Sequence, residues 1–213
     1  MEFARLLELV GDEPVFESTL LLAGDVDPNH VRRQLSRWVR AGRVYQLRRG
    51  LYALAPPFQK TRPHPFLVAN RLRPGSYVSL QSALAFYGMI PEHVARVTSV
   101  TAARPAHWRT PLGEYVFRHV KPDLLFGYRL LAVTESQQAF VARPEKALLD
   151  LVHLHPGGDA PAYLQSLRLQ NLGQLDPDEM ERLVERAHSP KLRRAAEVLL
   201  SLRGEEMEAY ETL

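Results

Sequence analysis

Asn29, Arg33 and Arg37 recur at every fourth residue of DPNHVRRQLSRWVRAGR, and all three carry side chains that can read base edges. An arginine fork meets guanine O6 and N7, and an asparagine amide pairs with adenine. Arg32, Arg40 and Arg43 flank that row and suit phosphate oxygens, which position a duplex without reporting its sequence. Arg48 and Arg49 stand side by side before Gly50, where a pair of cations can enter a neighbouring minor groove or clamp the backbone. His30, near a helix start, is a helper or bystander rather than a reader. The chemistry these residues offer is duplex binding, with no bond made or broken.

The elements that would position them follow from local signals. Asp27 is a good N-cap and Pro28 occupies the first helical position, where its missing N–H costs nothing. Val31, Leu35, Trp38 and Val39 fall at the i, i+4, i+7, i+8 spacing of a buried stripe, with Trp38 in the core. Successive 100° steps put Asn29, His30, Arg33, Arg37 and Arg40 on the opposite face. Gly42 supplies the stop. VYQL and LYAL then flank Arg48-Arg49-Gly50 as two apolar runs around a tight turn, the pattern of a hairpin. Upstream, Phe3, Leu6, Leu7 and Val10 predict a helix over Glu2–Val10. Leu20, Leu21 and Leu22 predict a second over Glu17–Ala23, closed by Gly24. Three helices and a hairpin in residues 1–55 give the order of a winged helix-turn-helix.

Charge is unevenly distributed along the 213 residues. No Asp or Glu occurs between Pro28 and Pro91, while 11 Lys and Arg do; from Pro144 onward 13 acids face 8 bases. Such asymmetry points to one region meeting a polyanion and another that need not. The positive run continues past the hairpin through Lys60, Arg62, Arg71 and Arg73, so the connector too is expected to touch the DNA backbone. With no cysteine, disulfides and thiolate metal sites are excluded and a reducing compartment is the simplest home. MEFARLLELVGDEP is too short and acidic for a signal peptide, and no apolar run approaches a membrane span. A soluble cytoplasmic protein is expected.

The rest of the chain divides by composition and period. Residues 56–65 are proline-rich and aperiodic, a linker. Residues 66–155 mix helices and β-branched strands: a helix over Phe66–Leu72, a strand at Ser76–Ser79, a helix over Gln81–Tyr87, strands at Val97–Thr101 and Tyr115–Val120, and a loop with Pro105 and Pro111 between them. Strands at Tyr128–Val133 and Ala139–Val141 follow, then a helix over Pro144–Leu154. Residues 156–213 form a helical subdomain, with Asp176-Pro177 and Ser189-Pro190 as helix starts and an acidic tail that frays after Gly204. The fold class is α+β: a winged helix-turn-helix, then a mixed α/β domain ending in helices.

Catalytic patterns find less support. A metal-dependent nuclease needs paired carboxylates and a lysine around one ion. Asp123 has no such partner, and Glu145 and Lys146 are helix neighbours that diverge by about 100°. Glu145 reads as favourable to a helix N-terminus, and Asp150 as a solvated or helix-bridging acid. His153 and His155 lack metal-ligand spacing, and His119 is a base only with a carboxylate that spacing does not supply. Ser79 and Ser82 lack the glycines of a nucleophile elbow, and no glycine-rich nucleotide loop occurs. No enzyme, cofactor or metal is expected. A nuclease carrying a winged-helix targeting domain is the alternative, as is a stand-alone regulator.

Several stretches carry a family resemblance: YQLRRGLYAL, SYVSLQSALAFYGMIPE, VTSVT, FGYRLL and VARPEKALLDLVHL. Together they resemble the AbiEi-type antitoxins of the abortive-infection, type IV toxin–antitoxin systems, from about Phe3 to about Leu154. The Ser76–Glu92 stretch and the Ala142–Leu154 helix are the most specific pieces. The resemblance implies a regulator that binds inverted repeats in its own promoter, as a possible homodimer on DNA. It also implies a nucleotidyltransferase-like toxin as functional partner, with or without direct contact. It places the DNA-contact role on Arg33, Arg37, Arg40, Arg48 and Arg49.

Overall fold

The computed structural model describes residues 2–22, 26–92 and 94–211. Phe3–Val10 forms helix α1, with Leu6 and Val10 buried and Gly11 turning the chain at φ +56°. The next segment differs from the expected helix over Glu17–Ala23. Phe16–Glu17 is instead a short strand, β1, and Ser18–Leu22 a 3₁₀ turn; Ala23, Gly24 and Asp25 lie outside the described residues. The reason is tertiary. Phe16 and Glu17 pair with Tyr52 and Leu51, and the Ser18 N–H donates to the Gly50 carbonyl at 2.9 Å. A helix this short has too few hydrogen bonds to compete with an open strand edge.

Helix α2, Pro28–Arg40, has the predicted cap: the Asp27 carboxylate accepts from the Asn29 N–H at 2.9 Å, and Val31, Leu35 and Trp38 are buried. Asp27→Ala is expected to cost about 1 kcal/mol, seen as a Tm lowered by about 2–4 °C in a thermal melt. Strands β2 (Val44–Arg48) and β3 (Leu51–Leu54) close the hairpin, and β1 adds to β3 to give the order β1-β3-β2. This small sheet is covered on both faces. Phe16, Val44 and Leu54 pack with Leu6, Val10, Leu35 and Trp38. Leu47, Leu51 and Ala53 instead join the core of the remaining chain. The hairpin is therefore fixed in orientation by two cores.

The proline-rich 56–65 stretch is tied down along its length. Phe58 meets the Phe3 ring edge-on at 4.9 Å. Gln137 accepts from the His64 N–H at 2.7 Å and donates to the Arg62 carbonyl at 2.9 Å. His64 then caps helix α3, Pro65–Leu72.

A mixed six-stranded sheet follows. Its strands are β4 (Ser76–Val78), β5 (Val97–Thr101), β6 (Ala106–Thr110), β7 (Gly113–His119), β8 (Tyr128–Ala132) and β9 (Gln138–Ala142), in the order β6-β7-β5-β4-β9-β8. β5–β7 and β4–β9 are parallel, the other pairs antiparallel. β6 lies inside the expected loop: after Pro105, AHWRT alternates its exposure and pairs along its whole length with Gly113–Phe117 of β7. Helix α4, Leu80–Phe86, follows β4, and α5 is Pro144–Leu154. The C-terminal helices are α6 (Pro161–Ser166), α7 (Pro177–Ala187) and α8 (Pro190–Glu211). Asp176 caps α7 as its sequence predicts. Among the described residues the acidic tail expected to fray after Gly204 is helical as far as Glu211. α8 continues to Glu211, held by Arg203 on the Leu175 carbonyl and Glu206 on the Gly173 N–H.

Helix α5 runs through the main core, with every residue from Glu145 to Val152 buried. Asp150 bridges to Lys146 one turn back, but it is not solvated: it is 1% exposed. Its other oxygen accepts from the Tyr77 hydroxyl at 3.0 Å and the Ser79 hydroxyl at 2.7 Å. Burial and then the Asp150 charge push the Tyr77 phenol far above its ordinary value, so it stays a donor. The Phe126 ring lies 4.8 Å from the Lys146 ammonium and 4.5 Å from the Arg186 guanidinium. Glu145 is also buried, accepting from the Asp176 N–H at 2.8 Å. Burial raises the Glu145 pKa, with that hydrogen bond opposing.

Candidate nucleic-acid interface

α2 is locked to the N-terminal core by Val31, Leu35 and Trp38, which leaves its other side open. Asn29, Arg32, Arg33, Arg37 and Arg40 are all exposed on it. Asn29, Arg33 and Arg37 form one ridge about 12 Å long, since eight residues rise 1.5 Å each. Arg32 donates to the Asn29 side-chain oxygen at 3.3 Å, and Arg40 to the Ser36 carbonyl at 3.4 Å. Arg33 lies 3.7 Å from the Asp27 carboxylate, an exposed contact too weak to hold it. Among the described residues the Arg37 side chain has no hydrogen bond or ion pair. His30 meets Gln34 at 3.5 Å at the edge of the ridge.

Beyond the helix, Arg43 is exposed with its guanidinium 5.1 Å from the Phe3 ring centre. Its backbone joins helix to hairpin through Trp38 and Ala55. The two hairpin arginines separate. Arg49 is exposed at the tip, whereas Arg48 is half-buried and donates to the Arg49 and Arg71 carbonyls at 3.0 and 3.3 Å. Glu17 lies 3.7 Å from Arg48.

The acid-free stretch of sequence is partly compensated in space. Asp12 sits 3.3 Å from Lys60, and Glu17 and Asp27 approach Arg48 and Arg33. Arg73, expected on the surface, is half-buried and lies over Trp108 and Phe117. Among the described residues the arginines of this run that are exposed and without an ion pair are Arg32, Arg37, Arg40, Arg43, Arg49, Arg62 and Arg71.

Among the described residues no group of three or more His, Asp or Glu could hold a metal ion. Asp123 is exposed in a 3₁₀ turn, and His119 contacts the Ala103 carbonyl at 3.1 Å. The gap beside Lys146 and Asp150 has no room for a water molecule. Among the described residues no helix is long and apolar enough to cross a membrane.

No protein-family model matches the sequence, and no curated protein matches it. The structure is similar to the crystal structure of the RV2827C protein from Mycobacterium tuberculosis, with a TM-score of 0.57 and 20% identity. The match covers 96% of this chain and 78% of that one. The likeness is one of fold. It spans the N-terminal unit, the mixed sheet and the C-terminal helices together, so the arrangement of these parts is shared.

The buried network is not legible in the sequence, although its members are in view there. Tyr77 and Ser79 come from SYVS and Lys146 and Asp150 from PEKALLD, within the two most specific pieces of the family resemblance. The structure brings those pieces into one hydrogen-bonded cluster in the core.

Proposed function

We propose that residues 1–55 form a winged helix-turn-helix that binds duplex DNA in a sequence-specific way. In this reading α2 enters the major groove, Asn29, Arg33 and Arg37 read base edges, and Arg32, Arg40 and Arg43 hold phosphates. The observation that carries it is the exposed Asn29–Arg33–Arg37 ridge on a helix whose reverse face is locked into a core. Arg49 presents the wing tip, and Arg48, held on the Arg71 carbonyl, braces it. Arg49→Ala should weaken binding to all duplexes alike and reduce the slope of log K against log salt by about one; a filter-binding series over salt reads this.

The chain then acts as a cytoplasmic autorepressor, a dimer on inverted repeats, and the antitoxin partner of a nucleotidyltransferase-like toxin. The resemblance of SYVSLQSALAFYGMIPE and VARPEKALLDLVHL to the AbiEi-type antitoxins supports this part. A reporter fused to the chain's own upstream region should be repressed when the chain is supplied in trans and released by Arg37→Ala. A reporter indifferent to the chain would remove autorepression. Co-expression with a nucleotidyltransferase from the adjacent reading frame tests the antitoxin role separately: growth should be restored by the chain.

A further inference from the structure

A second basic site lies on the mixed sheet, away from the residues assigned to DNA. A groove of about 680 Å³ runs between one face of β5 and β7 and the helices α4, α5 and α6. Arg96, just before β5, and Arg118, on β7, line it and are exposed. Among the described residues neither side chain makes a hydrogen bond or ion pair. The acid of the groove, Glu92, is already held by Arg168 at 2.6 Å. Glu114, two residues before Val116 on β7, is likewise held by Arg109 at 2.8 Å and His107 at 3.3 Å. Neither groove arginine is therefore paired with these carboxylates.

Both stand on fixed backbone. Thr98 pairs with Val116 and Val100 with Arg118, so Thr98, Val116 and Arg118 share one face of the sheet, and Arg96, in the bend just before β5, lines the same groove. The Ser82 hydroxyl donates to the Arg96 carbonyl at 3.2 Å and accepts from the Thr98 N–H at 2.8 Å, pinning the start of β5 to α4. In register Arg118 lies opposite Val100, four residues beyond Arg96, so the two arginines stand toward different ends of the groove. Across the groove, Tyr163 stacks on His155 at 4.1 Å and 6°, giving a flat, supported wall. Gln81, Thr98 and Ser166 add neutral polar groups to the lining.

We propose that this groove binds a nucleoside polyphosphate. Two arginine forks at opposite ends suit an elongated anion with several charged oxygens better than a single orthophosphate. The volume is that of a small-ligand cleft, and a flat aromatic wall suits a base. The site is independent of the DNA-reading face, and each can fail without the other.

The test is fluorescence polarisation of a ribose-labelled ATP with the full chain, competed by unlabelled ATP, pyrophosphate and a duplex. Saturable binding is expected. The Arg96→Gln, Arg118→Gln double variant should weaken it about tenfold or more, because it removes charge-assisted hydrogen bonds to the phosphates. Arg33→Ala should leave nucleotide binding unchanged, and the double variant should keep a wild-type melting curve and DNA affinity. Absence of saturation to about 5 mM, a weak-binding limit, would overturn the proposal. So would binding indifferent to the double substitution, or displacement by duplex, which would mark the groove as a backbone contact.

Discussion

Asp150→Ala is expected to destabilise the protein by about 3–5 kcal/mol, the cost of removing one partner from a buried ion pair. The substitution leaves the Lys146 ammonium, 3% exposed, without its counter-ion. It also takes the acceptor from two enclosed hydroxyls, Tyr77 and Ser79. In the parent protein the gap beside Lys146 has no room for a water molecule. The drop in Tm should be roughly 10 °C for a chain of this size. Replacing both charges, Asp150→Leu with Lys146→Met, should recover part of the loss, because it removes the stranded ammonium while the Tyr77 and Ser79 hydroxyls still lack their acceptor. A single variant melting within about 2 °C of the parent, less than 1 kcal/mol, would show that the cluster does not hold the core.

The second large effect falls on α2. Arg33→Ala and Arg37→Ala should each weaken binding to the cognate duplex by about 1–3 kcal/mol, the worth of a bidentate base contact. The more discriminating variant is Arg37→Lys. A lysine keeps the charge but loses the planar fork, so binding to shuffled DNA and the salt slope should persist while preference for the cognate site falls. Loss of affinity for both duplexes in equal measure would make Arg37 a phosphate contact. The ridge would then position the helix without reading.

What can be read from the sequence is what local chemistry decides. Asp27, Pro28, the Val31–Leu35–Trp38 stripe and the Arg48–Gly50 turn each act within a few residues, and all appear where their spacing puts them. Glu17–Ala23 reads as helix because its helical spacing is local, while its strand pairing comes from Tyr52 and Leu51, more than thirty residues on. β6 is hidden between two prolines, its partner β7 being the only reason for it to extend. Asp150 and Lys146 four residues apart look like a surface pair; only the covering by Tyr77, Ser79 and Phe126 makes them core. The same limit applies to the candidate interface. Residue types identify its arginines, but not that Arg48 turns back onto Arg71, nor that Arg73 lies over Trp108. Nothing local marks Arg96 and Arg118. They are 22 positions apart, and only the parallel pairing of β5 with β7 places them along one groove.

The most direct measurement is the affinity of the purified chain for a duplex from its own upstream region against a shuffled duplex of equal length, at matched physiological salt. Sequence-specific reading by α2 predicts a preference of about 10³-fold or more for the upstream duplex, reduced by Arg33→Ala and Arg37→Ala. Equal affinity for the two duplexes, unchanged by either substitution, would contradict it.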